Sequence, residues 1–179
     1  MDLFRTFFAV AAAGSVTLSA ADLSQVFDPK RWLPAECTVT AAEGGGMTVN
    51  MPIDHTSGEK KYPIGWPRLY FRKFQAQEKD WSKAKAVSFK FKLEFTGKTE
   101  KYPITFHVRT TAPGAEKEDA FTTIVPGVVN NKEITAVIPL DKVKNPGNVT
   151  TLGFNISESQ YKHGENYKFT VRDMKLIEK

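Results

Sequence analysis

Apolar and polar residues alternate strictly along several stretches of this 179-residue chain. From Val87 to Phe95 every odd position is apolar and every even position is polar, the pattern of a strand with one buried and one solvated face. The pattern recurs at 68–72, 104–109, 152–157 and 167–172 and, more weakly, at 37–40, 47–51, 121–125 and 134–138. About nine strands are therefore predicted.

Clusters of turn-forming residues separate these segments. They lie at 44–46, 52–58, 96–98, 112–114, 126–127 and 145–147. Turn-forming clusters at such regular intervals, with no long segment of helical period, are typical of an antiparallel sandwich or barrel. We expect an all-β fold, a two-sheet antiparallel β-sandwich.

The N-terminal segment has the order of a secretory signal peptide. Arg5 precedes an apolar run from Thr6 to Leu18, and the small residues Ser19, Ala20 and Ala21 follow. Residues 1–21 are thus predicted to be a signal peptide and residues 22–179 a single domain, secreted or periplasmic. No later stretch approaches the length of a transmembrane helix, so we expect no membrane insertion.

Composition narrows the chemistry. Cys37 is the only cysteine, which excludes an internal disulfide and a multi-thiolate metal site, and three scattered histidines do not favour zinc. The net charge of +5 favours acidic partners in a general way. Nucleic acid is not expected as a partner, because the chain has an export sequence and no recognised nucleic-acid-binding motif. The sequence does not define an oligomeric state.

Four segments in order carry a family resemblance. They are Lys79-Asp80-Trp81-Ser82, Ile138-Pro139-Leu140, the strand from Leu152 to Ile156, and the strand from Val171 to Ile177. Together they resemble the galactose-binding-domain-like jelly rolls that serve as carbohydrate-binding modules. The resemblance implies a jelly roll with Trp81 in its core, and such modules often hold a structural calcium near the termini. Asp173, with Asp28 or Glu36, would then supply carboxylate ligands.

Aromatic residues in loops and on polar strand faces are the candidates for sugar stacking, since sugars present apolar C–H faces to rings. Tyr62 and Trp66 lie in a loop rich in proline and glycine, and Tyr70 lies on the polar side of its strand. The alternative for Trp66 is that it caps one end of the core.

The predicted polar faces are also cationic. Three pairs share faces of their strands: Arg68 with Arg72, Lys90 with Lys92, and His107 with Arg109. If all three strands belonged to one sheet, its concave face would carry a basic strip containing Tyr70. Such a strip would suit the uronate or sulfate groups of an acidic glycan.

The residues do not favour catalysis. Glycoside hydrolysis needs two carboxylates at a fixed separation, yet Glu94 is the single acidic residue inside a strongly predicted strand, and no nucleophile elbow is present. The chain is therefore predicted to be a non-catalytic carbohydrate-binding protein and not an enzyme. Two alternatives stay open: a structural or protein-interaction sandwich of the cell envelope, and a small polysaccharide lyase that uses His107, Arg109 and a tyrosine.

Overall fold

The computed structural model describes residues 21–56, 66–98, 101–157, 160 and 162–179. Eleven strands run through these residues, with three short 3₁₀ helices at Ser24–Phe27, Pro29–Arg31 and Ala76–Glu78. The strands are β1 (Ala21–Asp22), β2 (Trp32–Ala35), β3 (Thr38–Ala41), β4 (Met47–Pro52), β5 (Arg68–Phe71), β6 (Ala84–Thr96), β7 (Ile104–Thr111), β8 (Glu118–Ile124), β9 (Glu133–Pro139), β10 (Val149–Ile156) and β11 (Asn166–Glu178).

The strands form two antiparallel sheets. Sheet A has the order β3-β4-β11-β6-β9. The short strand β1 pairs with the C-terminal part of β11, on the same side of β11 as β4. Sheet B has the order β2-β5-β10-β7-β8. From β4 onward the chain changes sheet repeatedly, which produces the jelly-roll connections. The prediction of an all-β, two-sheet antiparallel sandwich is confirmed.

Phenylalanines from both sheets meet in the core. Phe89 of sheet A lies 5.4 Å from Phe106 and 5.8 Å from Phe154 of sheet B, measured between ring centroids. Phe154 also lies 5.6 Å from Phe169. These residues come from the apolar positions of the alternating segments, so burying one face of each strand places them between the sheets.

The strand β2 was not predicted, because Trp-Leu-Pro-Ala has no alternating pattern and contains a proline. Proline is tolerated here because β2 is an edge strand of sheet B. Trp32 is buried in the core, where its indole Nε1 donates to the Val26 carbonyl at 2.8 Å. Trp81, also buried, is part of the core as predicted.

An ion pair holds the chain just beyond β5. The Arg31 guanidinium donates from Nη1 to Glu78 Oε1 at 2.9 Å and from Nη2 to Glu78 Oε2 at 2.5 Å. Its Nη2 also donates to the Lys73 carbonyl at 2.7 Å, and its carbon lies 4.8 Å from the Phe71 ring centroid. Burial raises the pKa of Glu78 by disfavouring the charged carboxylate. Hydrogen bonds from Arg31 and from the Gln75 amide outweigh this effect, so the pKa of Glu78 is lowered overall. This clamp fixes the position at which the chain leaves sheet B.

The predicted signal peptide falls almost wholly outside the described residues, apart from Ala21. Within the part of the chain that the structure describes, no helix is long and apolar enough to cross a membrane.

Candidate functional site

The outer face of sheet B brings together residues from five strands. The register aligns Leu33 of β2, Tyr70 of β5, Gly153 of β10, His107 of β7 and Thr122 of β8 in one row across the sheet. Tyr70 and His107 belong to the set predicted from the sequence. Because the side chains of Leu69 and Phe71 are buried in the core, those of Arg68 and Tyr70 must point outward.

Gly153 allows the rings of Tyr70 and His107 to meet above the central strand. Their centroids are 5.1 Å apart with the planes inclined by 44°. A Cβ atom on Gly153 would lie 2.7 Å from His107 Cε1 and Nε2 and 2.9 Å from the Leu69 carbonyl oxygen. A glycine inside a strand often marks such a close approach. The ring pair therefore depends on the missing side chain of Gly153.

His107 is buried, with 7% of its surface exposed. Burial, followed by the positive charge of Arg109, lowers its pKa to about 4, against a hydrogen bond to the Asn155 side chain that raises it. Its Nε2 is enclosed and has no hydrogen-bond partner among the described residues. At neutral pH the imidazole is thus uncharged and inaccessible at Nε2.

Two guanidinium groups stack on aromatic rings along β5. The Arg72 guanidinium carbon lies 5.7 Å from the Tyr70 ring centroid, and that of Arg68 lies 5.2 Å from the Trp66 centroid. Arg68 also donates from Nη1 to the Trp66 carbonyl at 3.2 Å. Neither arginine forms an ion pair within the described ranges, although the charge of Arg72 contributes to the lowered pKa of Glu118.

Arg109, by contrast, is paired. Its Nη1 donates to Glu118 Oε2 at 3.1 Å, and the Thr150 hydroxyl donates to Glu118 Oε1 at 2.7 Å. These bonds, that from Thr150 first, lower the pKa of Glu118 despite partial burial. Arg109 lies on the predicted surface, but its charge is compensated there.

The sheet arrangement corrects the predicted basic strip. Lys90 and Lys92 lie on β6 in sheet A. The other two pairs belong to sheet B: Arg68 lies on β5 and Arg72 directly after it, and His107 and Arg109 lie on β7. A strip containing all three pairs is wrong, because consecutive strands of the jelly roll change sheets. The sequence pattern places residues on a face of their own strand and does not specify the sheet.

Three lysines of sheet A form ion pairs. Lys90 lies 3.1 Å from Asp173, Lys92 lies 3.1 Å from Glu94, and Lys168 lies 2.7 Å from Glu94 on its other oxygen. Arg172 likewise pairs with Glu133 at 2.8 Å. Such pairs of opposite charges, within one strand or between strands of the same sheet, are typical of a solvated sheet face.

Of the predicted aromatics, Trp66 is 37% exposed and Tyr70 is half-buried. Trp66 is thus partly covered and partly accessible, so both of its placements, as a stacking platform and as a cap on one end of the core, stay predictions. Tyr62 lies outside the described residues.

The predicted calcium ligands lie in three different settings. Asp173 pairs with Lys90, and the Asp28 carboxylate accepts from the Lys30 amide at 3.0 Å at the start of a 3₁₀ helix. Glu36 occupies a turn with φ of 54°. In the described part of the chain, no three acidic, histidine or cysteine residues are grouped to hold a metal ion. Calcium bound by Asp173 with Asp28 or Glu36, together with backbone carbonyls, stays a prediction.

Several residues of this surface were not predicted. Asn155 accepts a hydrogen bond at 2.7 Å from the Thr105 hydroxyl and also contacts His107, and Thr151 lies buried beside Arg109 in the register. Gly153 was detectable in principle, since it interrupts the apolar strand Leu-Gly-Phe-Asn-Ile. The polar residues of β10 give no such signal in the sequence, because their role depends on neighbouring residues of β5 and β7.

No family model matches the sequence, and no curated protein matches it either. Solved structures with a similar fold include carbohydrate-binding modules, the class that the sequence resembles. One is the family 30 module of the cellulosomal cellulase Cel9D-Cel44B of Clostridium thermocellum, at 16% identity and a TM-score of 0.49, covering 80% of this chain and 82% of that one. Another is CtCBM11, at 14% identity and a TM-score of 0.45, covering 94% and 92%.

An exo-β-agarase is also similar, at 11% identity and a TM-score of 0.48, where the match covers 88% of this chain and 24% of the agarase. At such low sequence identities these structures show only a similar fold. A function has to be inferred from the surface residues of this chain itself.

Proposed function

We propose that the protein is a secreted, non-catalytic carbohydrate-binding domain whose site is the outer face of sheet B. The observation that carries this proposal is the surface around Tyr70. There a half-buried ring lies against His107 over Gly153, with an exposed guanidinium above it. A ring held firmly by packing is a platform for the apolar face of a sugar, and it loses little conformational entropy on binding.

The charges of this face favour an acidic polysaccharide. Arg68 and Arg72 have no ion-pair partner among the described residues, and Glu118 is the single carboxylate among the outward side chains of the described sheet B strands. Guanidinium groups bind carboxylate and sulfate through paired N–H donors. The face of sheet A is less suited, because Lys90, Lys92 and Lys168 are already paired with acidic neighbours.

The same surface supports binding without catalysis. A general base must reach the proton that it removes, yet His107 Nε2 is enclosed beneath its neighbours. Glu118 is bonded to Arg109 and Thr150, and no second outward carboxylate stands across the described strands of sheet B to form a hydrolytic pair. On the described strands of sheet B, therefore, neither lyase nor hydrolase chemistry has its groups in place.

Exposure of the aromatics distinguishes binding from a purely structural role. A sandwich that used Trp66 and Tyr70 to complete its core would bury both rings, whereas Trp66 is 37% exposed and Tyr70 is half-buried on the outer face. These rings are placed where a ligand can reach them.

Affinity gel electrophoresis tests the proposal. The protein is run through gels that contain a polyuronate, the same polymer after reduction of its carboxyl groups, or a neutral glucan. We expect retardation by the polyuronate and weaker retardation by its reduced form, since ring stacking persists when the charges are removed. Tyr70→Ala should abolish retardation while far-ultraviolet circular dichroism stays unchanged.

Retardation that Tyr70→Ala leaves intact would place the site elsewhere. Equal retardation by the polyuronate and its reduced form would retain carbohydrate binding and reject the preference for acidic polymers. Release of unsaturated product absorbing in the ultraviolet would reject the non-catalytic assignment.

A further inference from the structure

Aromatic and guanidinium side chains alternate along the β5 segment. Trp66, Arg68, Tyr70 and Arg72 occupy every second position, and each arginine stacks on the aromatic residue two positions before it. We call Trp66 with Arg68 the first couple and Tyr70 with Arg72 the second couple. The four residues thus form a repeated unit within one segment.

Stacking prepares each guanidinium for an anion. A guanidinium that lies on a ring face keeps its N–H edge directed away from the ring, where it can donate two parallel bonds to a carboxylate. Arg68 is further oriented by its bond to the Trp66 carbonyl at 3.2 Å. Neither couple forms an ion pair with a carboxylate of the described residues, although the charge of Arg72 helps to lower the pKa of Glu118, so each couple can provide one anion-binding position.

The two positions are separated by a fixed length of extended chain. Arg68 and Arg72 are four residues apart, which corresponds to about 13 Å along a strand at about 3.3 Å per residue. The Arg31–Glu78 clamp holds the far end, because Arg31 bonds to the Lys73 carbonyl next to Arg72. The spacing is therefore a property of the fold.

The direction across the strands offers fewer contacts. Towards β7 the ligand would meet His107, which is buried, and Arg109, which is paired with Glu118. Further on, β8 presents Thr122 and the exposed Ile124, and towards β2 lie Leu33 and Ala35. None of these four carries a charge or an aromatic ring.

From this arrangement we infer that one linear acidic glycan lies along β5, with two of its anionic groups bound by the two couples. The inference rests on the proposed function and adds the ligand's direction, its length and the repeat of its charges. A ligand with a single anionic group would occupy one couple only. A longer one would bind both, and the second contact would then form at high effective concentration.

A length series tests the inference. Binding of oligogalacturonates of increasing length to the full chain is measured by titration calorimetry at fixed ionic strength. We expect one step in affinity, of roughly tenfold or more, at the length that first spans both couples. Arg68→Ala should remove this step, so that the longer oligomers bind no more tightly than the shorter ones.

Variants distinguish the two directions. Trp66→Ala should remove the affinity step, as Arg68→Ala does. Lys85→Ala removes an exposed charge from β6 in sheet A and is the control for general electrostatics, so it should leave the step unchanged. Thr122→Tyr places a bulky group on β8 in the path of a ligand that crosses the strands. It should leave binding intact if the glycan lies along β5.

The outcomes separate the two claims. If oligogalacturonates bind, Tyr70→Ala abolishes binding and no step depends on Arg68, the proposed function stands and the direction along β5 is overturned. A loss of binding in Thr122→Tyr with normal circular dichroism would overturn it as well. If no length binds to the wild-type chain, this inference falls, and the gels with whole polysaccharides then decide the proposed function by themselves.

Discussion

The rings of Tyr70 and His107 contact each other across a strand that lies between them, with centroids 5.1 Å apart. They can do so because the intervening residue, Gly153, has no side chain. Two residues that are 37 positions apart in sequence thus form one surface. The glycine between them makes this possible because it has no side chain to separate the two rings.

Replacing Gly153 should disrupt this contact. In Gly153→Ala the new Cβ would lie 2.7 Å from two atoms of the His107 ring and 2.9 Å from a backbone oxygen, and only the ring can move away. We expect a loss of about 1–3 kcal/mol in the free energy of unfolding, as for other overpacked sites. Polyuronate binding should fall as well, because Tyr70 loses its supporting ring.

Urea denaturation and affinity gels measure the two effects. The control is Gly147→Ala, where the nearest atom to a new Cβ is 3.8 Å away. That variant should be unchanged or stabilised by about 0.4–1 kcal/mol. If Gly153→Ala is as stable as this control and binds normally, the contact has no supporting role.

Stability should depend on pH through His107. Its pKa is about 4 in the folded protein and about 6.5 in an unfolded chain, so between these values the unfolded state binds more protons. The contribution of the neutral imidazole is therefore complete above about pH 6.5 and is lost as the pH falls towards 4. Integrated over this window, the loss amounts to about 3 kcal/mol.

Comparison with His107→Gln isolates this effect from the carboxylates, which titrate in both proteins. Chemical denaturation at pH 7 and pH 4.5 should show a smaller pH dependence in the variant. Parallel curves for the two proteins would show that His107 does not titrate with a depressed pKa.

Removing Glu78 should destabilise the fold strongly. Glu78→Gln leaves the Arg31 guanidinium, whose side chain is 15% exposed, without its carboxylate partner. Breaking a buried ion pair from one side costs about 3 kcal/mol or more. Thermal unfolding is the measurement, and a shift of several degrees is expected.

The exposed pair of Arg172 and Glu133 provides the matched control. Its side chains are 31% and 38% exposed. Glu133→Gln should cost about 1 kcal/mol at most, because water screens the interaction. Equal losses in the two variants would mean that burial adds nothing to the Arg31–Glu78 clamp.

Lysines on the other sheet should not contribute to glycan binding. Lys90 and Lys92 are bound to Asp173 and Glu94 on the outer face of sheet A, the layer opposite to Tyr70. The double variant Lys90→Gln/Lys92→Gln should keep its retardation by polyuronate within about twofold, which reflects only the lower net charge. A loss as large as that of Arg72→Gln would move the site to sheet A.

Strict alternation made the strands of both sheets predictable, because the burial of one face imposes a period of two on each strand. Phe89, Phe106 and Phe154 could be assigned to the core for that reason alone. The edge strand β2 could not be predicted, since Pro34 and the short apolar run around it show no period.

The candidate site was predictable only in part. Tyr70 and its flanking arginines follow from a single strand, so the sequence contains their relationship. The separation of Lys90 and Lys92 from them, and the support from Gly153 and Asn155, depend on which strands become neighbours. Strand order is determined by long-range packing and leaves no local pattern.

The pairing of β1 with β11 has a consequence for how the domain can be rebuilt. Ala21 is aligned with Leu176, so the first and the last described strands are neighbours in sheet A, in the layer opposite to the surface around Tyr70. For the domain predicted at residues 22–179, a short linker between these two residues would permit circular permutation, with new ends opened at the glycine turn between β3 and β4. The same proximity suits the domain to insertion into a surface loop of a carrier protein, which would display sheet B outward.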